Sequence, residues 1–291
     1  MTRMKRYVAL KPYAALALAI VGGLAAQACT DSDPVGPDTD ILVVRAFLCT
    51  GEPVADIRIT TTVPLVSEDT LGMPVSDATV WLERDEVRFD LIATTGTPGA
   101  YHYPGSDLVI GEGEVFELGI FRGSESLSAT TVVPSPPEGL TVSSDLLEVV
   151  DLTAGRGGRG GGGGGGLGLA FGGLVVRWTN PERDLYFVAV DNLETDPEQI
   201  PAPEFIGRAR RFVSAPPPAD STTISQLSLT HLGEHRIRLY RVNQEYADLY
   251  EGRVQDSRDL NEPPSNILGG LGVFSAFSSS EGTFTAVLTS G

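Results

Sequence analysis

Residues 78–94 read ATVWLERDEVRFDLIAT, and this stretch decides the fold class. Ala78, Val80 and Leu82 fall on one face of an extended chain, and the same spacing resumes at Val87 after a polar break. A period of two among β-branched and aromatic residues is typical of strands with one buried face. The stretch predicts two β-strands, and its recurrence along the chain predicts an all-β protein.

Comparable runs occur in both halves of the chain, separated by Gly, Pro, Asp and Ser. In the first half they are ILVVRAFL (41–48), DIRITTTV (56–63), GAYHY (99–103), VFELGIF (115–121) and SLSATTVV (126–133). In the second half they are SSDLLEVVDL (143–152), LVVRWTN (174–180), LYFVAV (185–190), TTISQLSL (222–229), HRIRLYRV (235–242) and GTFTAVL (282–288). One short helix is predicted at QEYADLYEGRV (244–254), where Asn243 would be the N-cap.

The strand runs suggest two domains. About seven strands within roughly 100 residues fit an immunoglobulin-like sandwich, here 41–134. The motif PSPPEG (134–139) predicts a linker or a turn between sheets, because proline has no N–H for a strand partner. The remainder, 135–291, is predicted to form a second β domain. Its glycine-rich run at 155–173 predicts a flexible loop, since ordering so many glycines costs much backbone entropy.

The first 28 residues have the pattern of an export signal. A basic stretch precedes the apolar run 13–24 (YAALALAIVGGL), which is shorter than the about 20 residues that a membrane-spanning helix needs. The motif AQAC, ending at Cys29, fits either ordinary cleavage after A-x-A or the cleavage of a lipoprotein signal, which it resembles. We predict the second route, so that residues 1–28 are removed and a lipidated Cys29 anchors the protein to a membrane. The acidic, proline-containing segment 29–40 is then a solvated tether.

Charge restricts the possible partners. The 291 residues include 21 basic and 38 acidic side chains, and the net charge is −17 at pH 7. An acidic chain repels phosphate backbones, so we expect no nucleic acid partner, and the charge is consistent with solubility outside the cytoplasm. With Cys29 acylated, Cys49 is a lone thiol, and we expect it in the core. Without acylation, a disulfide between Cys29 and Cys49 becomes possible.

The segment His231-Leu-Gly-Glu234-His235 matches the H-x-x-E-H spelling of a zinc protease motif. That chemistry needs both imidazoles on one face of a helix, with the Glu beside a zinc-bound water. Gly233 interrupts the segment, which lies between two strand patterns. We therefore expect a hairpin turn with surface histidines and no metal site, and His231, Glu234 and His235 remain weak zinc candidates.

Two further features have competing interpretations. Gly269, Gly270 and Gly272 would allow a ligand or partner to approach the backbone closely, but turns or bulges between strands are the more common use of such glycines. Tyr246, Tyr250 and Phe274 would similarly make a contact patch, whereas aromatic residues at these spacings are usually core.

Several segments together carry a family resemblance. Trp178, Pro181, Tyr186 and HRIRLYRVN look like strands of a fibronectin type III-like sandwich. The segments PVSDATVWL (74–82), Gly99-Ala-Tyr101, EVFELGIF (114–121), SATTVVP (128–134), the Trp178 strand and PPSNILGGLGVFSAFS (263–278) resemble the bacterial lipoproteins of domain-of-unknown-function family 4249. The resemblance extends over nearly the whole mature chain, except for the glycine-rich insert.

The family has no established reaction. The resemblance implies a lipoprotein of the cell envelope, on the periplasmic or surface-exposed face of the outer membrane, in bacteria that rely on TonB-dependent transporters. We therefore expect a non-enzymatic binding or accessory protein without a cofactor, associated with an outer-membrane transporter. The alternatives are a carbohydrate-binding module, for which the sequence shows no convincing aromatic platform, and a zinc-dependent hydrolase that uses His231 and His235.

Overall fold

The computed structural model describes residues 41–55, 57–63, 72–151, 173–201, 216–251 and 264–289. The strands in this part of the chain are β1 (Leu42–Cys49), β2 (Ile57–Thr61), β3 (Thr79–Arg84), β4 (Val87–Ala93), β5 (Ala100–His102), β6 (Val115–Arg122), β7 (Glu125–Val132), β8 (Glu138–Val142), β9 (Leu146–Val149), β10 (Gly173–Thr179), β11 (Leu185–Asn192), β12 (Ser221–Ser225), β13 (Gly233–Val242) and β14 (Leu271–Leu288). The helices are a 3-10 turn, Gln226–Ser228, and α1, Gln244–Glu251. The predicted all-β sandwich class is confirmed.

Eleven strands form one mixed sheet, whose order is β11-β13-β14-β1-β2-β5-β4-β3-β6-β7, with β9 paired to the far end of β14. Most neighbours are antiparallel, but β1 and β9 both run parallel to β14. The first parallel pair places Cys49 opposite Phe277, and the second places Leu147 opposite Ala286. Strand β14, 18 residues long, therefore connects the first strand of the sheet to the strands of the second half of the chain.

The first hydrophobic cluster collects inward side chains from β1 to β7 and from the beginning of β14. Because strands far apart in the sheet order contribute to one cluster, the sheet folds over on itself as a sandwich. Tyr101, Phe116 and Phe274 are among its largest fully buried side chains, and each contributes about 1.5–3 kcal/mol by leaving water. The buried Tyr101 hydroxyl donates to the Val75 carbonyl at 3.1 Å and accepts the Ala78 N–H at 3.0 Å.

The second cluster lies between the large sheet and a three-stranded sheet of order β12-β10-β8. The small sheet supplies Leu174, Val176 and Ile224, and the far end of β14 supplies Phe284. Phe274 and Phe284 point to the same face of β14, because ten residues is an even number of steps along a strand. One strand thus has a buried phenyl ring in each cluster.

Glycines in the loop before β14 and at the second residue of β14 allow close approach within the chain itself. Gly272 has φ +117°, and a Cβ there would lie 1.9 Å from the Val44 carbonyl oxygen. A Cβ on Gly269, whose φ is +81°, would lie 2.4 Å from the Ser126 carbonyl oxygen. Gly269 therefore brings the loop against β7, which agrees with the turn interpretation, and Gly272 brings the start of β14 against β1.

The sequence missed one strand and predicted another too short. The motif PSPPEG connects β7 of the large sheet to β8 of the small sheet, as predicted for a turn between sheets, but its last two residues already belong to the missed strand β8. The predicted final strand at 282–288 is only the end of β14, which begins at Leu271 and continues through Gly282.

The division into domains at residues 134 and 135 stays a prediction. The predicted flexible loop at 155–173 falls almost entirely outside the described residues, as do residues 1–40.

Candidate functional site

A cavity of about 320 Å³ lies on the large sheet where β11, β13, β14 and β1 run side by side. The register aligns Phe187 with Tyr240 and Phe277 with both Val242 and Cys49, so these side chains share one face. It is the face opposite the hydrophobic clusters, since Leu48 and Ala276, one residue along each strand, point into the first cluster.

Aromatic rings form most of the cavity wall. Tyr246 of α1 closes over the sheet, with its ring centroid 4.8 Å from that of Phe277 and 5.6 Å from that of Phe47. Both contacts are edge-to-face, with interplanar angles of 78° and 80°. The lining is Phe47, Cys49, Glu52, Pro53, Ala55, Phe187, Tyr240, Val242, Tyr246 and Phe277. Five of its ten residues are aromatic, and one is ionised at neutral pH.

Helix α1 is fixed to the sandwich by Asn243, which the sequence marked as its N-cap. The Asn243 carbonyl accepts the N–H groups of Tyr246 and Ala247 at 3.2 and 3.3 Å, as expected at a helix start. Its side-chain amide instead donates to the Val132 carbonyl at 2.8 Å and to the Thr131 hydroxyl at 3.2 Å. The residue thereby ties the beginning of α1 to β7 and holds Tyr246 over the cavity.

Charged groups surround one edge of the cavity. Arg238 donates to the Asp191 carboxylate at 2.8 Å and lies 3.6 Å from a Glu52 oxygen. Its guanidinium carbon is also 5.6 Å from the centroid of the Tyr240 ring, a cation–π distance. Arg238 is therefore held mainly by Asp191, and Glu52 is the carboxylate that faces the cavity.

Cys49 carries a free thiol at the cavity wall. It is half-buried, whereas the sequence predicted a position inside the core. Burial, followed by the negative charge of Glu52, raises the pKa of this thiol to about 11. The thiol is therefore protonated at neutral pH and is a weak nucleophile.

The histidine segment does not form the arrangement that zinc hydrolysis needs. Gly233 and its successors belong to β13, so Glu234 and His235 point to opposite faces of a strand. His235 is buried, stacks on Phe284 at 5.1 Å and lies with Nδ1 2.9 Å from the Gly233 carbonyl. The expected hairpin with surface histidines was wrong, because β12 belongs to the small sheet and β13 to the large one.

The remaining predicted site residue, Cys29, lies outside the described residues. Among those the structure describes, no group of three or more His, Cys, Asp or Glu side chains is placed to hold a metal ion. In the same part of the chain, no helix has the length and apolar character that crossing a membrane requires. The sequence left a contact patch and a core position open for Phe274 and Tyr246. Phe274 lies in the core, and Tyr246 lines the cavity.

An exposed aromatic pair lies elsewhere, on the outer face of the sandwich. The indole of Trp81 lies over Gly119, where a Cβ would come within 2.1 Å of it. Phe121, half exposed, stacks against this indole at 5.4 Å, and the Arg88 guanidinium carbon is 4.1 Å from the indole centroid. The sequence did not indicate this platform because Trp81 and Phe121 meet only through the pairing of β3 with β6.

The fold and cavity describe an all-β sandwich protein with a small, preformed aromatic pocket. Residues 30–160 match the family described as "Domain of unknown function (DUF4249)", which is the family that the resemblance predicted. The match is shorter than the predicted resemblance, and both the Trp178 strand and PPSNILGGLGVFSAFS lie beyond it. No curated protein matches the chain.

Proposed function

We propose that the chain is a cell-envelope lipoprotein, anchored in the outer membrane through acylated Cys29. There it is a non-enzymatic binding or accessory protein that works alongside a TonB-dependent transporter. The envelope role comes from the signal pattern and from the family resemblance. The binding role rests on one observation, the preformed aromatic cavity.

The position of the family match supports the anchor. The matched segment begins at residue 30, directly after the cysteine that would become the mature N-terminus. A cysteine carrying two or three acyl chains remains in a bilayer, whereas one chain gives only marginal binding.

The chemistry of the cavity supports binding in preference to reaction. A nucleophilic cysteine needs a thiolate, and the pKa of Cys49 near 11 keeps the thiol protonated at neutral pH. Apolar walls with few polar groups are typical of small-molecule sites, whose volumes begin at about 300 Å³.

The anchor is tested by replacing Cys29 with Ser in the full chain. The variant should lose metabolic labelling by radioactive palmitate and move from the membrane fraction to the soluble fraction. A matched Cys49→Ser variant should keep both labelling and membrane retention. Continued labelling of the Cys29→Ser protein would contradict the proposed anchor.

The accessory role is tested by purifying the anchored chain from detergent-solubilised membranes and identifying co-purifying proteins by mass spectrometry. Repeated enrichment of one outer-membrane transporter over a control preparation is the expected result. Recovery of no such transporter across independent preparations would count against this role.

A second candidate function is carbohydrate binding, and the Trp81–Phe121 pair favours it. Flat aromatic rings on a sheet face stack on sugar rings, and the carboxylate of nearby Asp90, which accepts from Arg88 Nε at 2.6 Å, is 69% exposed. Glycan-array binding that disappears in Phe121→Ala would support this function. A Phe187→Ala control, changed at the cavity, should leave such binding intact.

A further inference from the structure

Five aromatic rings line the cavity, and several of them lie at steep angles to one another. Tyr246 meets Phe47 and Phe277 edge to face, at 80° and 78°, and the rings of Phe47 and Phe277 are tilted by 44° to each other. Tyr240 also approaches Phe277 edge to face, at 72° and 6.4 Å. Rings at steep angles to one another form a corner, and a ligand in that corner contacts several negative π-faces at once.

The charged residue of the lining, Glu52, is negative, and the faces of aromatic rings also carry partial negative charge. Glu52 is the ionised member of the lining, and its side chain is 52% exposed. Arg238 approaches it only to 3.6 Å, beyond hydrogen-bond distance, because its short contact is with Asp191 at 2.8 Å. Glu52 also accepts a hydrogen bond from the Cys49 thiol, and a carboxylate has further acceptor positions that can face the cavity.

A neutral apolar occupant fits this environment poorly. It would remove water from the Glu52 carboxylate and leave Arg238, 3.6 Å away, as the counter-charge, so that the side of the carboxylate facing the cavity would gain no opposite charge. A cation supplies that charge and also gains from the rings, so both features of the lining select the same kind of ligand.

We propose that this cavity binds a small organic cation of the quaternary or alkylated ammonium class. The cationic head lies in the corner formed by Phe47, Tyr246 and Phe277, and Glu52 balances its charge. The volume of about 320 Å³ is near the lower end for ligand sites, so the ligand is small. This inference rests on the binding role proposed above and does not depend on the membrane anchor.

The test compares two probes of nearly the same shape. Choline carries a trimethylammonium group, and 3,3-dimethylbutan-1-ol replaces its nitrogen by carbon and is neutral. Each is titrated by isothermal calorimetry into the full chain in a maltoside detergent. We expect choline to bind at least about tenfold more tightly than the alcohol, as cation–π and charge contributions predict.

Two pairs of variants locate the site. Glu52→Gln should weaken choline binding about three- to tenfold, whereas Glu281→Gln should leave it unchanged. Glu281 is the matched control because its side chain is also 52% exposed and also lies near an arginine, at 3.8 Å. Tyr246→Leu should weaken binding about tenfold, whereas Tyr246→Phe, which keeps the ring, should bind within about twofold of the unaltered protein.

Three outcomes would overturn the inference: equal affinities for the two probes, no binding of choline up to about 10 mM, or equal effects of the two glutamate variants. Thermal melts identify a variant that has not folded, and if Tyr246→Leu unfolds, the two probes and the two glutamate variants still decide the inference. The transporter pull-down is independent of these titrations. A protein that co-purifies with a transporter but does not bind choline would refute this inference and leave the proposed envelope role standing.

Discussion

Cys49 shows how the surroundings of one side chain set its chemistry. Its neighbours Leu48 and Ala276 belong to the first cluster, while the thiol itself points to the cavity beside Glu52. Burial and a carboxylate both disfavour the thiolate, so both raise the thiol pKa. The sequence predicted a core position for this cysteine, whereas it is half-buried at the cavity wall, and its neighbour Glu52 becomes apparent only in the folded chain.

Alkylation of Cys49 tests this view. In a Cys29→Ser chain, where Cys49 is the remaining cysteine, iodoacetamide at pH 7.5 should react about a hundredfold more slowly with folded than with urea-unfolded protein. The rate should rise steeply between pH 9 and about 11. Glu52→Gln should accelerate it at neutral pH, because one cause of the raised pKa is removed. Equal rates for folded and unfolded protein would contradict a protonated, half-buried thiol.

His235 gives a pH prediction with a definite sign. Burial lowers the pKa of this histidine below its ordinary value of 6.5, and the nearby His231 lowers it further. The unfolded chain therefore takes up the proton at higher pH than the folded chain. The stability that His235 contributes is complete above about pH 6.5 and is lost as the pH falls from there through the folded-state pKa.

The prediction is checked by urea unfolding at pH 7.5 and pH 5.5. The free energy of unfolding should decrease between these values by more in the unaltered protein than in His235→Gln, whose side chain does not titrate. His102→Gln is the control, because His102 is only partly buried in β5 and should keep the full pH dependence. If the free energy of unfolding of His235→Gln decreased between these pH values as much as that of the unaltered protein, groups other than His235 would cause the decrease.

At the scale of elements, strand β14 depends on a backbone shape that glycine provides. Gly272 combines φ +117° with a carbonyl oxygen 1.9 Å from the position of a Cβ. Gly123, in the turn between β6 and β7, also has positive φ, +59°, but has nothing within 4 Å of that position. Alanine at Gly123 would therefore introduce backbone strain alone, whereas alanine at Gly272 would add a steric clash.

Alanine substitutions at both positions measure the difference. Gly123→Ala should cost about 1 kcal/mol, the usual penalty for a left-handed non-glycine residue. Gly272→Ala should cost about 3–4 kcal/mol, because β14 must also move away from Val44. Urea unfolding of both variants gives the comparison. Equal losses would mean that the loop before β14 adapts to a side chain without disturbing β1.

Periodicity explains which elements the sequence predicted. The hairpin of β3 and β4 and the long β13 alternate regularly, and Val80 and Leu82 are buried as predicted, whereas Val87, where the spacing resumes, is 54% exposed. Strand β8 was missed because prolines precede it, and the first half of β14 because Gly269, Gly270 and Gly272 resemble turn signals. Glycine and proline indicate where a backbone bends or lacks a donor, but not whether a strand begins beside them.

At the scale of the whole molecule, the site was less predictable than the elements. The cavity needs the register of Cys49 with Phe277, which joins residues more than 200 positions apart in the sequence. Alternation alone places Phe47 and Cys49 on one face of β1, but it does not say that β14 lies beside them. Long-range parallel pairing is set by packing of the complete chain, so the cavity emerged only with the fold.

The same pairing makes a final prediction about cooperativity, for which the two tryptophans are convenient reporters. Trp81 lies in β3 beside the first cluster, and Trp178 is buried in the second. The variants Trp81→Phe and Trp178→Phe each leave one tryptophan, whose fluorescence follows one region of the chain. We expect both to give the same unfolding midpoint in urea, because β14 places Phe274 in one cluster and Phe284 in the other.

A further substitution distinguishes coupling from coincidence. Phe284→Ala, combined with each single-tryptophan background, should destabilise the second cluster by about 3–5 kcal/mol. If the clusters unfold together, the midpoints reported by Trp81 and by Trp178 shift equally. If only the Trp178 signal shifts, the two regions unfold independently, and the division at residue 134 that the sequence suggested is a division between folding units. The shared strand favours the first result, because loss of β14 from one cluster removes the neighbour of β1 in the other.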